Sequence, residues 1–231
     1  MVDIAANYRA IVERIGEAAA RSGRDPGGVK LLAASKSQSI EKIRAAAAAG
    51  VQYFGENYVQ EAAAKKHAAG SVEWHMIGHL QRNKVRPALE LFEVIESVDS
   101  AELARALDRE GKARGRAVRA LVEVNLAGEA SKGGVAKDRL GALLEEVGKL
   151  AWLRVDGLMT VPPLSEDPEK ARPFFRDLAG LRRKYGDLNA QNIDLKELSM
   201  GMSQDYVVAI EEGATLVRIG TALFGPREAR R

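Results

Sequence analysis

The chain has 231 residues, 46% hydrophobic and 29% charged, which suits a soluble globular protein of one large domain or two small ones. Thirty-five Lys and Arg stand against 32 Asp and Glu; the formal charge of +3 is slight and mostly interleaved, so a solvated surface is expected and a nucleic-acid partner is not, even with basic clusters at Arg114–Arg119, Arg182–Lys184 and Arg227–Arg231. The absence of cysteine excludes disulfides, thiolate metal sites and cysteine nucleophiles, and with no secretory signal or long apolar run a cytoplasmic protein without membrane contact is expected.

Residues 3–22 set Ile4, Tyr8, Ile11, Val12 and Ile15 at helical spacing, and Gly23 is a stop. Asp25-Pro26-Gly27 is turn chemistry. The stretch VKLLAASK, 29–36, reads as a strand covered on both faces, as in a parallel sheet. Alternation puts Leu32, Ala34 and Lys36 on one face and Leu31, Ala33 and Ser35 on the other. A lysine ending such a strand carries a costly charge unless chemistry uses it.

From there the pattern repeats. A helix over 39–49 has Ser39 as its N-cap and Gly50 just past its end. A strand at 51–57 precedes a helix at 58–69, ended by Gly70. A strand at 73–78 precedes a short helix at 82–90, in spite of Pro87. A strand at 91–98 is followed by a helix that Ser100 caps, running to about Arg114. A strand at 119–127 leads through a flexible loop, 128–134, to a helix at 137–150. A strand at 152–160 and a proline-bearing loop at 161–167 come before a helix ending near Tyr185, with Pro168 or Pro173 in its first turn. A strand at 194–200, a helix at 204–212 and an eighth strand beginning at 215 complete the series.

Eight strands alternating with helices are the sequence form of a single (β/α)8 TIM-type barrel, here with an extra N-terminal helix and one domain over 1–231. The competing reading is an open doubly wound sheet. The count of eight, and the few residues after the last strand, favour the closed barrel.

In a barrel, function sits at the carboxyl ends of the strands. Those ends are Lys36; Glu56 and Asn57; Gly78 and His79; Ser97; Asn125; Met159 and Thr160; Ser199 to Ser203; and Gly220 with Thr221. The segment LSMGMSQD, 198–205, surrounds a turn with Ser199, Gly201 and Ser203 and runs straight into a helix; small residues there let amides approach an anion. Gly220-Thr221 repeats the arrangement, and barrels often bind phosphate at these two strand ends. Arg218 shares a face with Leu216 and Gly220, so it points into the barrel and needs a partner: Glu123 or Asp156, or a bound ring nitrogen or anion. His75 and His79, four apart, straddle a strand end and do not form a metal pair. A lysine beside a phosphate site leaves two chemistries: a Schiff base with a sugar phosphate, or with pyridoxal 5′-phosphate (PLP).

LLAASKSQS (31–39), FGENYVQE (54–61), WHMIGHLQRNK (74–84), GLMTVPP (157–163), LSMGMSQDYVVAI (198–210) and VRIGTALFG (217–225) together resemble the pyridoxal-phosphate homeostasis protein family, over nearly the whole chain and in the same order. The resemblance implies a barrel like the N-terminal domain of alanine racemases, fold type III, with PLP as cofactor. It implies that Lys36 carries PLP as a Schiff base, that Ser199, Met200, Ser203, Gly220 and Thr221 cradle the phosphate, and that Arg218 faces the ring nitrogen. Asn57 and Met159, at neighbouring strand ends, complete the expected cofactor-binding set. The implied function is vitamin B6 homeostasis by a carrier or regulator without catalytic turnover, with apo PLP-dependent enzymes as recipients. An arginine beside the ring nitrogen keeps it unprotonated and weakens the ring as an electron sink. The runner-up is a racemase-like enzyme. A racemase needs a second base, such as the tyrosine that alanine racemases bring from a second domain; the six residues after the last strand leave no room for one, so a monomer is expected.

Overall fold

Eight apolar runs and the helices between them close into a ring of parallel strands. The computed structural model describes residues 2–129, 132–188 and 190–226. The barrel strands are β1 (Lys30–Ala34), β2 (Tyr53–Glu56), β3 (Glu73–Met76), β4 (Val94–Val98), β5 (Val118–Asn125), β7 (Leu153–Met159), β8 (Ile193–Met202) and β9 (Leu216–Ile219). The two-residue β6 (Val135–Ala136) pairs with the end of β5, outside the barrel. Hydrogen-bonded neighbours run β4-β3-β2-β1-β9-β8-β7-β5, and pairing of β4 with β5 closes the circle. An open doubly wound sheet would keep two edges; this ring keeps none.

The helices are α1 (Ile4–Arg21), α2 (Ile40–Ala48), α3 (Val59–Lys65), α4 (Val85–Leu91), α5 (Ala101–Arg114), α6 (Leu140–Val147), α7 (Arg172–Tyr185), α8 (Tyr206–Glu211) and α9 (Thr221–Phe224). Ser39 and Ser100 cap α2 and α5 as expected, accepting from the amides of Lys42 and Leu103. Asp3 does the same for α1. Pro87 is tolerated because it falls in the first turn of α4, where its missing N–H has no helical partner.

Several boundaries differ from the sequence expectation, and at three the cause is local. The strand expected over 91–98 begins at Val94, because Leu91 completes α4 and the Phe92 amide still bonds the Ala88 carbonyl. The helix expected over 137–150 is α-helical only from Leu140 to Val147; the Asn192 side-chain amide then ties down the carbonyls of Val147, Leu150 and Leu153 at 2.9, 3.0 and 2.9 Å. The last strand stops at Ile219, and Gly220 turns the chain into α9.

The outer face of the barrel and the inner faces of the helices form the main core. Phe54 and Trp74, in register on β2 and β3, stack at 5.2 Å within it. Each such large side chain contributes roughly 2–3 kcal/mol by leaving water. The amino-terminal half of the barrel interior is different. Lys30, Glu73, His75, Arg119, Asp156 and Glu197 line a cavity of about 50 Å³ there, beside Val94, Leu121 and Leu216. The basic cluster at 114–119 is partly absorbed by the fold. Arg119 pairs with Glu73 and Asp156, and Arg114 donates to the carbonyls of Arg86 and Leu89. The Arg227–Arg231 cluster lies outside the described residues. Among the described residues, no helix is long and apolar enough to cross a membrane.

Candidate functional site

Strand pairing brings the lysine-bearing end of β1 beside the end of β9. Leu32 pairs with Arg218 and Ala33 with Ile219. One step further, a Cβ on Gly220 would lie 3.5 Å from the Ala34 carbonyl oxygen. Lys36 therefore leaves β1 next to Gly220, at the carboxyl end of the barrel. It is half-buried and sits in a turn in which the Gln38 amide bonds the Ser35 carbonyl at 3.0 Å. Ser37 in that turn has φ +61°, the one non-glycine residue in the left-handed region among those described.

The ends of β8 and β9 supply converging donors. Gly201 has φ +93°, and a Cβ there would fall 2.5 Å from Ala209, so only glycine lets α8 start this close to β8. The turn after it is fixed by Asp205, whose carboxylate accepts from the Met202 amide at 2.6 Å. Burial pushes the Asp205 carboxyl up, against the pull of that bond and of Arg218. The turn presents the Ser203 hydroxyl to α9, where it accepts from the amides of Gly220 and Ala222 at 3.3 and 3.2 Å. Two amides aimed at one oxygen are the arrangement that holds a phosphate oxygen. Thr221 lies between them, exposed, at the first position of α9.

Arg218 points into the barrel, 5% exposed, and donates to Ser199 Oγ at 2.6 Å and to the Thr160 carbonyl at 2.7 Å. Neither acid named from the sequence receives it directly. Asp156 is held by Arg119 and Arg154, and Glu123 acts on Arg218 only through its charge. The partner the sequence did not name is Glu96, which accepts from Ser199 Oγ at 2.5 Å. Glu96 also meets His75 Nδ1 at 2.5 Å, and His75 Nε2 meets Glu73 at 3.1 Å. The chain Arg218, Glu96, His75, Glu73, Arg119, Asp156 thus alternates in sign through the barrel. Burial alone would lower the His75 pKa, but hydrogen bonds from Glu73 and Glu96 overcome it and raise it to about 9. The His75 bond in turn holds Glu73 down at about 2. Burial raises Glu123 to about 7, although Arg218 pulls the other way.

One hydroxyl of the expected phosphate set is engaged elsewhere. The Ser199 hydroxyl is fully buried and committed to Arg218 and Glu96, so it supports the arginine instead of the cradle. The Met200 side chain lies in the outer core, which leaves only its backbone for a ligand. Beyond Ser199 the register between β8 and β9 shifts. Ser199 pairs with Leu216 and Met202 with Arg218, so β8 inserts one extra residue around Gly201. Met159 is fully buried and pairs with Glu123 and Ser199 on the inner face. Asn57 is half-buried on the rim, and a Cβ on Gly78 would strike its carbonyl oxygen at 2.5 Å.

Asn57 lines a cleft of about 440 Å³ with Tyr58, Met76, His79 and Lys84. The larger cleft, about 850 Å³, lies over the ends of β3 and β4, away from Lys36, and is lined by His79, Arg82, Asp99 and Arg109 among others. His79 there meets Asp99 at 3.3 Å. Among the described residues, no group of three or more His, Asp or Glu side chains is arranged to hold a metal ion.

Comparison with known proteins identifies the family and the fold. The alanine racemase N-terminal domain family matches residues 3–228. The chain is 45% identical to the pyridoxal phosphate homeostasis protein of Pseudomonas aeruginosa, over 99% of this chain and 97% of that one. It is 44% identical to the protein of the same name from Aquifex aeolicus, over 94% and 96%. PipY of Synechococcus elongatus, solved without and with PLP bound, superposes with TM-scores of 0.82 and 0.77 at 39% and 38% identity, covering 93% of this chain and all of PipY. The chain belongs to the pyridoxal phosphate homeostasis protein family, built on the alanine racemase N-terminal barrel.

Proposed function

We propose that this chain binds PLP covalently through Lys36 and serves PLP homeostasis as a carrier or regulator, with no turnover of its own. The observation that carries the reading is the pair of amides, Gly220 and Ala222, converging on one oxygen beside the strand that delivers Lys36. A phosphate needs such donors, and an aldehyde needs an amine within reach of the same molecule. The residues present fit that group. When bound, PLP supplies an aldehyde that condenses with a lysine and a ring able to withdraw electrons. In this reading the Ser203 turn and the start of α9 bind the phosphate, Asp205 holds that turn, and Met159 and Asn57 flank the ring. Arg218, kept charged by Glu96, faces the ring nitrogen and keeps a proton off it. A ring without that proton is a poor electron sink, which favours storage over turnover. The name borne by the relatives, and the PLP-bound state of PipY, support the same conclusion.

The full chain acts in this proposal as one barrel domain, monomeric and cytoplasmic, and its recipients are apo PLP-dependent enzymes. Borohydride reduction followed by peptide mass mapping tests the binding step: pyridoxyl on Lys36 is expected, and a protein that takes up no PLP refutes it. Exchange of the α-hydrogen of amino acids in deuterated buffer tests the absence of turnover. Fast exchange that disappears in Lys36→Ala would make the protein an enzyme.

A further inference from the structure

A buried charge cluster on the outer side of the barrel holds both flanks of Lys36. Lys65, the last residue of α3, is 6% exposed. Its ammonium group donates to Glu56 at 2.7 Å, to the Ser35 carbonyl at 2.9 Å and to Glu61 at 3.1 Å, which uses all three of its protons. Glu56, fully buried at the end of β2, also accepts from the Ser35 hydroxyl at 2.7 Å. Glu61 accepts from the Ser37 amide at 2.8 Å. The residue before Lys36 and the residue after it are therefore both held by one cluster. Ser37, the second of them, is kept at φ +61°, a conformation that a serine gives up when released.

Stability alone explains this cluster poorly. Taking an ammonium and a carboxylate out of water costs about as much as their pairing returns, and well-packed apolar side chains commonly do as well. Burial raises the Glu56 carboxyl in spite of its bonds to Lys65 and Ser35, which is the mark of that cost. What an apolar substitute cannot do is grip a backbone carbonyl and, through Glu61, a backbone amide.

We propose that Lys65, anchored by Glu56 and Glu61, is a positioning residue that fixes the direction in which Lys36 leaves β1; the proposal rests on the reading of Lys36 as the PLP-bearing amine. Lys65 lies on the outer side of the strand and is not itself a PLP ligand. It holds the Ser35–Gln38 turn in its left-handed form, so that the Lys36 amine meets the mouth of the barrel ready to react.

The test uses the full chain. Lys65→Met should weaken PLP binding about tenfold or more, the expected effect of losing hydrogen bonds from a charged group. It should also change the rate at which Lys36 is reductively methylated by formaldehyde and cyanoborohydride in protein free of PLP. Adding Ser37→Gly to Lys65→Met should recover most of both effects, because glycine adopts positive φ without strain. If Lys65→Met does not fold, Glu61→Ala replaces it, since it leaves the bonds of Lys65 to Glu56 and Ser35 in place and releases the Ser37 amide. A folded variant with unchanged PLP affinity and unchanged Lys36 labelling overturns the proposal. So does a loss that Ser37→Gly leaves in place, which would be one of general stability. A parent protein that takes up no PLP would overturn the cofactor reading instead, and the labelling comparison would still decide for or against the clamp.

Discussion

Ser199 Oγ stands 2.6 Å from Nη1 of Arg218 and donates its own proton to Glu96 at 2.5 Å. A single hydroxyl thus joins the arginine of the site to a fully buried carboxylate. Ser199→Ala would leave an oxygen of Glu96 and an N–H of Arg218 without that partner. The expected loss is about 1–3 kcal/mol, the usual cost of stranding a buried polar group, measurable by urea unfolding. An unchanged midpoint would mean that water replaces the hydroxyl.

Arg218 is a cation that several acids share. Glu96, Glu123 and Asp205 all feel its charge, and each is pulled downward by it. Arg218→Glu would add a fourth carboxylate to this group and is expected to unfold the barrel. Arg218→Gln is the informative variant. It should weaken PLP about tenfold or more and shift the absorbance of the bound cofactor, as the ring nitrogen becomes easier to protonate. A titration that reproduces the parent's affinity and spectrum would place Arg218 away from the ring.

His75 links stability to alkaline pH. The groups facing it are Glu73, Glu96 and the edge of the Tyr53 ring, with Arg119 on the far side of Glu73. Its pKa is raised from 6.5 to about 9, so its contribution is fully present below pH 6.5 and is lost as pH rises through 9. The displacement corresponds to roughly 3 kcal/mol. Glu73, held at about 2, behaves oppositely: its contribution is present above 4.5 and fades only as pH falls toward 2. Thermal unfolding across the window from 6.5 to 9 should show the decline, and His75→Gln should flatten it at lower overall stability.

Glu123 adds a second, lower window. Its pKa is raised from 4.5 to about 7, so the folded protein prefers it protonated. Stability from this group is complete below 4.5 and is lost as pH rises through 7. Glu123→Gln keeps a neutral side chain of the same shape. It should match the parent near about pH 4.5 and exceed it near about pH 8, by up to roughly 3 kcal/mol. Equal stability at both values would show that Glu123 is ionised throughout.

Gly157 is required by a close approach within the barrel. A Cβ there would fall 2.0 Å from the Glu197 carbonyl oxygen, and both backbones belong to paired strands. Gly157→Ala must open β7 from β8 at the point where their register already shifts. The expected cost is about 3 kcal/mol or more, read as a drop in thermal midpoint. A drop of less than about a degree would mean that the bulge absorbs the methyl group.

Alternation along VRIGT is enough to place Arg218 toward the interior, because a strand has a period of two and β1 and β9 pair without a shift; Lys36 lies in the turn just past the end of β1. LSMGMSQD reads from the sequence as a turn running into a helix, without a register. Ser199 faces the interior and Met200 the outer core by ordinary alternation; the extra residue around Gly201 changes the parity only beyond them, and Ser203 faces the amides of α9. The charge partner of His75 has no local signal, since Glu96 lies 21 positions away on another strand.

By itself the sequence determined the eightfold strand–helix alternation, the family and the inward direction of Arg218. These depend on local periodicity, capping and specific motifs, all carried by neighbours in the chain. The tertiary structure alone decided which buried charges meet: Arg218 with Ser199 and Glu96, Lys65 with Ser35 and Glu56, and Arg119 with Glu73 and Asp156. Such pairings depend on ring closure and on bulges in the register, and neither leaves a signal in the spacing of residues along one strand.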